Sequence, residues 1–214
     1  SAASLKMGVA LRDPFYIHRA RYALAQEGKY NIQQKLLGGG ENDGYYWDGS
    51  YIFHSGYMYN ATYGRDQLSN TSNIIGMLVG TVWQIEQNII DDLAKRIVDG
   101  YESIIYKGNT VDVASGRGLG SGASYGRTIA SSIASISEYL PEPYRTNFQS
   151  MAKQMKLDQG VKDSLTTDEQ VIPRGDITLL KRYPIGDKLI YHSPEFGFGL
   201  SMFSKRTRTF EAPN

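Results

Sequence analysis

Asp48-Gly49-Ser50-Tyr51-Ile52-Phe53-His54-Ser55-Gly56-Tyr57-Met58-Tyr59-Asn60-Ala61-Thr62-Tyr63-Gly64 sets one histidine among tyrosines in a glycine-punctuated run. Six of the chain's 16 tyrosines lie between Tyr45 and Tyr63. Glycines at this density work against a continuous helix, so the segment reads as irregular, surface-facing chain. Its aromatics have two readings: packing against neighbouring helices, or a platform for a ligand with an apolar face.

Helical patterns flank it on both sides. Upstream, the apolar pattern from Val9 to Ala25 is broken at Asp13-Pro14, which predicts two helices meeting there. Gly38 to Gly44 then reads as a flexible loop. Downstream, Ile74, Ile75, Leu78, Val79, Val82, Ile85, Ile89, Ile90, Leu93, Ile97 and Val98 recur at steps of three and four. That spacing predicts two helices hinged near Gly80-Thr81, with Trp83 in the core. A second glycine-rich loop, Gly116 to Gly122, precedes a helix through Ile129, Ile133, Ile136 and Leu140 that Pro141 ends, and another helix covers Arg145 to Leu157. After Pro173 the period changes to two. Phe196, Phe198, Leu200 and Met202 alternate with smaller residues, and Leu189 to His192 reads as the hairpin partner across Ser193-Pro194-Glu195. Two strands do not make a stable sheet alone, so the tail reads as the start of a β-domain. The expected fold is mainly α with a β tail, divided into residues 1–172 and 173–214.

Composition narrows the function. With 23 Lys+Arg against 22 Asp+Glu in 214 residues, the net charge of +1 gives no broad face for nucleic acid, although a local basic pocket stays open. The absence of cysteine excludes disulfides, thiolate zinc sites and cysteine nucleophiles. No apolar run approaches the ~20 residues of a membrane span, so a soluble chain without a membrane partner is expected. Ser1 opens with no basic flank before an apolar block, so no secretory leader is read here, and a first residue other than Met suggests processing or an excerpt. His18, His54 and His192 are too scattered for a metal site, and neither metal nor cofactor is expected. Gly118 to Ala123 fits the GxGxxA dinucleotide pattern, but its surroundings read as helices without a βαβ unit, which favours a plain loop.

Residue order in the first stretch resembles the polysaccharide lyase family of hyaluronate lyases, chondroitin AC lyases and xanthan lyases. That family carries Asp-Gly-Ser-aromatic-Ile-x-His, followed nine residues later by the tyrosine of a Tyr-Gly pair, and His54 and Tyr63 match both catalytic positions. Ile105 to Arg117 is similar to the family stretch whose final arginine lines the catalytic site, which Arg117 matches. Phe196 to Asn214 resembles the first strands of the family's β-domain, where Glu211 and Asn214 match a Glu-x-x-Asn beside the substrate. The resemblance covers the middle of a family member. It implies the C-terminal part of an α/α toroid over residues 1–172, then the first strands of an antiparallel β-sandwich, completed by further segments of the same protein. It also implies a secreted or extracellular enzyme acting on an acidic polysaccharide. Two positions depart from the family: Ser4 stands fifty residues before His54, where a catalytic asparagine is usual, and Ser121 stands four after Arg117, where many glycosaminoglycan-cleaving members have arginine. Either Ser4 takes the asparagine's place or that position precedes Ser1.

The implied reaction is β-elimination at a uronic acid of the hyaluronan, chondroitin or xanthan type: C5 loses a proton, the C4–oxygen bond breaks and a 4,5-unsaturated sugar results. Donors that neutralise the carboxylate assist, as in an oxyanion hole. A phenol titrates at about 10, and a guanidinium nearby favours its ionised form, the role expected of Arg117. Tyr63 then acts either as base and acid in turn, or as acid alone with His54 as base. Trp47, Tyr57 and Tyr59 are the expected sugar platform, with about half of the cluster's aromatics serving as core instead. A noncatalytic carbohydrate-binding remnant of such a lyase is the competing reading.

Overall fold

The computed structural model describes residues 2–27, 43–54, 56–204 and 207. The expected loop from Gly38 lies outside them except for its last residues, and so do Lys205, Arg206, Arg208, Glu211 and Asn214.

Helices α1 (Ala2–Leu11) and α2 (Pro14–Glu27) pack on each other on either side of the Asp13-Pro14 break, where Asp13 Oδ1 accepts from Phe15 N at 2.9 Å. Strands β1 (Gly44–Tyr45), β2 (Tyr51–Phe53) and β3 (Tyr57–Met58) form a small antiparallel sheet. A π-helical turn, Asn60–Gly64, leads directly into α3 (Arg65–Leu78), and α4 (Gln87–Gly100) follows after the break at Gly80. A hairpin of β4 (Ile105–Tyr106) and β5 (Asn109–Thr110) precedes α5 (Gly122–Ser137), which packs between α3 and α6 (Tyr144–Asp158). After the short α7 (Ser164–Thr167) comes an antiparallel sheet in the order β6 (Leu179–Tyr183), β7 (Lys188–His192), β8 (Gly197–Ser201). No helix of the described residues is long and apolar enough to cross a membrane.

Several expectations need correction. The tyrosine-rich run is not surface-facing: Tyr45, Tyr46, Tyr51 and Tyr59 are all at least nine-tenths buried, because short strands turn them inward onto α3 and α4. In the apolar stripe, Val82 is 90% exposed and Val98 45%, since Val82 falls in the break between helices and Val98 on the outer face of α4. Trp83 is half-buried, edge-on to His18 at 4.5 Å. The tail has three strands rather than two. Strand β6 escaped the period test because Leu179-Leu180 and Lys181-Arg182 do not alternate.

One buried side chain joins the small sheet to the helices. Asn60 is fully buried; its Oδ1 accepts from Tyr51 N at 2.7 Å, and its Nδ2 donates to Gly49 O and Gly100 O, each at 2.9 Å. The approach demands glycine at both carbonyls. A Cβ on Gly100 would lie 2.5 Å from Gly49 O, and Gly49 sits at φ +90 with Asp99 against it. Beside this knot the hydroxyls of Tyr45 and Tyr101 bond to each other, and Arg96, 4% exposed, lies 5.4 Å over the Tyr45 ring.

The second sheet docks through polar seams. Asp48 Oδ2 accepts from Ile185 N at 2.8 Å, while its Oδ1 takes Ser50 N at 3.0 Å and Ser50 Oγ at 2.6 Å. Buried Tyr183 bonds Ser103 Oγ at 2.7 Å and donates to Asp99 O at 3.0 Å, and burial pushes its phenol above the ordinary range. On the far side His192, 2% exposed, lies against Tyr106 near the Arg174–Glu102 and Lys107–Asp176 ion pairs. Burial first, and Arg174 second, push its imidazole down to about 4.

Replacing Asn60 by alanine strands two carbonyls and one N–H in the core and is expected to cost on the order of 3 kcal/mol or more, read from urea denaturation. The unfolded chain protonates His192 at about 6.5, so folding excludes a proton below that pH and stability falls progressively as pH drops from about 6.5 towards 4. In urea titrations at pH 7 and pH 5, His192→Gln should show a smaller fall in midpoint than the parent chain. An equal fall in both would remove His192 as a source of the acid sensitivity.

Candidate active site

The hairpin that Asn60 anchors ends at His54. This residue takes the left-handed backbone, φ 50, which few side chains other than asparagine, aspartate and histidine tolerate. The conformation turns the chain back into β3, in a register that pairs Phe53 with Tyr57. The π turn then brings Tyr63 to the same place. Gly64 N donates to Tyr59 O at 3.0 Å, the five-residue bond that widens this turn relative to an α-helix.

The outcome is an aromatic cluster. The His54 and Tyr63 rings lie 5.4 Å apart at 61°, and Tyr59 lies 5.4 Å from His54 and 5.1 Å from Tyr63. Phe53 packs on both, 4.6 Å from His54 and 4.3 Å from Tyr63. His54 and Tyr63 are half-buried, whereas Tyr59 is 1% exposed. Tyr59, expected on the sugar platform, is therefore the floor of the cluster, since a ring closed off from solvent offers no face to a sugar.

That floor also seats the glycine-rich loop. Tyr59 Oη accepts from Arg117 N at 3.4 Å, and Gly116, at φ +55, lies so close over the Tyr59 ring that any Cβ would overlap it. Arg117 is thus brought to the cluster through its backbone and is half-buried there. Gly118 is wedged between Thr62 and Tyr125 in the same way. The GxGxxA pattern accordingly forms the approach to α5, with no βαβ unit around it among the described residues.

Sequence reasoning passed over Arg65 and Tyr125. Arg65 lies 4.6 Å over the Tyr125 ring, and its Nε and Nη2 donate to Asp66 Oδ1 at 2.9 and 2.6 Å. The only sequence signal was the place of Arg65 two residues after Tyr63, one step past the Tyr-Gly pair. Of the remaining candidates, Tyr57 is half-buried on β3 at the His54 end of the hairpin. Trp47 is 54% exposed in the turn at the hairpin's other end, where it lines a separate groove. Ser4 is half-buried on α1. Among the described residues no group of three or more His, Asp or Glu is placed to hold a metal ion.

The arrangement offers a phenol and an imidazole side by side, with the Arg117 backbone seated on the same Tyr59 floor. Such a set can take a proton from an acidic carbon and return one to a leaving oxygen. Gly116→Ala forces a methyl into the Tyr59 ring at an unfavourable φ and is expected to lower stability by about 1–3 kcal/mol, with a changed near-ultraviolet tyrosine signal. Unchanged thermal unfolding and spectrum would show that the loop does not rest on Tyr59.

The family model "Polysaccharide lyase family 8, N terminal alpha-helical domain" matches residues 22–154. The xanthan lyase of Bacillus sp. (strain GL1) is 25% identical over 224 residues, covering 96% of this chain and 23% of that protein. The hyaluronate lyase of Staphylococcus aureus is 28% identical over 206 residues, covering 86% of this chain and 26% of its own length. Among solved structures, the xanthan lyase of Paenibacillus superposes with a TM-score of 0.85 at 29% identity, over 96% of this chain and 21% of that one. A chondroitin AC lyase of Streptomyces coelicolor A3 superposes at 0.80 with 21% identity, over 97% and 31%, a likeness of fold. This chain spans about a quarter of the length of the lyases it matches in sequence.

Proposed function

Because the chain belongs to polysaccharide lyase family 8, we propose that it carries the proton-transfer centre of a lyase that cleaves a uronate-containing polysaccharide of the hyaluronan, chondroitin or xanthan type by β-elimination. The observation that carries this reading is the 5.4 Å approach of the His54 and Tyr63 rings beside the Arg117 loop. Two half-buried groups able to exchange protons are held there by a rigid hairpin and a π turn, so neither must be ordered when substrate arrives.

The Tyr63 oxygen, as phenolate, takes the C5 proton; the electron pair forms the C4–C5 double bond as the C4–oxygen bond breaks. The neutral phenol then protonates the departing oxygen, so one side chain serves both steps. His54 orients the uronate carboxylate, or is itself the base with Tyr63 as the acid alone, and Arg117 is the cation assigned to favour the phenolate. Tyr57, on the same end of the hairpin, contributes to the sugar platform, and Glu211 and Asn214 border the substrate. No water is consumed. We read the sheet β6–β8 as the first strands of the β-sandwich that closes the cleft from the other side, within a secreted protein.

If Ser4 takes the place of the family's asparagine, rather than that position preceding Ser1, its hydroxyl is a weaker partner for a carboxylate than an amide with two N–H donors. This favours the noncatalytic carbohydrate-binding reading as the alternative outcome. Ultraviolet absorbance of the unsaturated product separates the two. Tyr63→Phe should lower product formation from the susceptible polysaccharide by at least ~100-fold with polymer binding nearly unchanged. Turnover retained in that variant removes Tyr63 from the proton path. Binding without product in the parent chain, supplied with the segments that complete its β-domain, establishes the noncatalytic reading.

A further inference from the structure

The hairpin end opposite His54 opens on a second groove of about 570 Å³, lined by Trp47, Asp48, Lys95, Asp99, Lys181, Arg182 and Pro184. This is the size of a small-ligand or saccharide site. The groove straddles the seam between α4 and the edge strand β6, so both structural layers contribute to it.

Its walls have opposite characters. Trp47 presents an indole that is 54% exposed yet fixed, because the turn beneath it is closed by Tyr46 N to Ser50 O at 2.9 Å, Gly49 N to Tyr46 O at 3.0 Å and both oxygens of Asp48. An exposed aromatic on a rigid turn binds a pyranose face without first losing conformational freedom. The same lining includes three cations, Lys95, Lys181 and Arg182, and one half-buried carboxylate. That carboxylate, Asp99, is shared by Lys95 and by Lys181, the latter at 3.3 Å, and Asp48 is buried with its oxygens already bonded inward. Arg182 is exposed and forms no ion pair among the described residues. The lining thus combines a small excess of positive charge with an exposed indole.

We infer that this groove is a binding subsite for an acidic oligosaccharide, separate from the His54–Tyr63 cluster, in which a pyranose ring stacks on Trp47 while its carboxylate pairs with Arg182 and the Lys95–Lys181 side. It holds a stretch of chain at a distance from the cluster and adds contact without adding chemistry. A neutral saccharide has only the stacking half of the interaction.

Isothermal titration calorimetry on the Tyr63→Phe chain, with oligosaccharides of hyaluronan, chondroitin and xanthan as acidic probes and cellohexaose as the neutral one, tests it. At least one acidic probe is expected to bind, more weakly as salt is raised, and cellohexaose at least about tenfold more weakly. Trp47→Ala and Arg182→Gln should each weaken that binding by about tenfold. Circular dichroism matching the parent shows that each variant is folded. Absence of binding to every acidic probe overturns the inference. So does equal affinity for cellohexaose, or indifference of the binding to both groove substitutions, which would assign the contact to the cluster. Failure to detect any unsaturated product bears on the proton-transfer reading alone and leaves these titrations as they are.

Discussion

Asn60 is the point at which three stretches of backbone meet: the turn at Gly49, the start of β2 at Tyr51 and the end of α4 at Gly100. A buried amide with one acceptor and two donor bonds satisfied has a single orientation, and it fixes the hairpin against the helices to within hydrogen-bond tolerance. Both ends of the hairpin inherit that precision. Trp47 projects from one end and His54 from the other, and Asn60 itself begins the π turn that carries Tyr63. The two glycines belong to the same constraint, because the amide reaches both carbonyls only where neither residue has a side chain.

Tyr59, the residue before Asn60, has a related role. Its ring is closed off from solvent, so its value lies in what it supports: His54 and Tyr63 on one side, the Gly116–Arg117 backbone on the other. Proton-transfer geometry on a loop is loose unless a rigid element lies beneath it. Here a large buried aromatic supplies that element, which accounts for finding so many tyrosines in a segment where only a few meet solvent.

The regions of this architecture that rest on long periodic patterns were legible in the sequence. The α3 and α4 stripes, the helix ended before Pro141 and the β7–β8 pairing all follow from spacing, and His54, Tyr63 and Arg117 were singled out by a resemblance in residue order; the structure brings the first two rings together beside the Arg117 backbone. Short elements were not legible. Strands of two or three residues, such as β1 and β3, have no period to read, so the tyrosine run passed for surface chain although strand pairing turns it inward. Asp48 and Asn60 carry no signal of burial by type, since polar residues are mostly exposed, and their partners lie at Ile185 and Gly100, far away in the chain. Arg65 and Trp47 depend on tertiary placement for the same reason: only the fold says which neighbours they face.

The carboxylate of Asp48 has one oxygen turned to its own hairpin and the other to the chain entering β7. A single rigid group therefore serves as a rivet through both layers. Prying the sheet from the helices would withdraw the partner of one oxygen and leave a buried charge half-solvated, and the distortion would run along β2 to the imidazole at its tip. The seam and the His54–Tyr63 cluster share one hairpin, so a change that loosens the joint is expected to disturb the aromatic cluster as well.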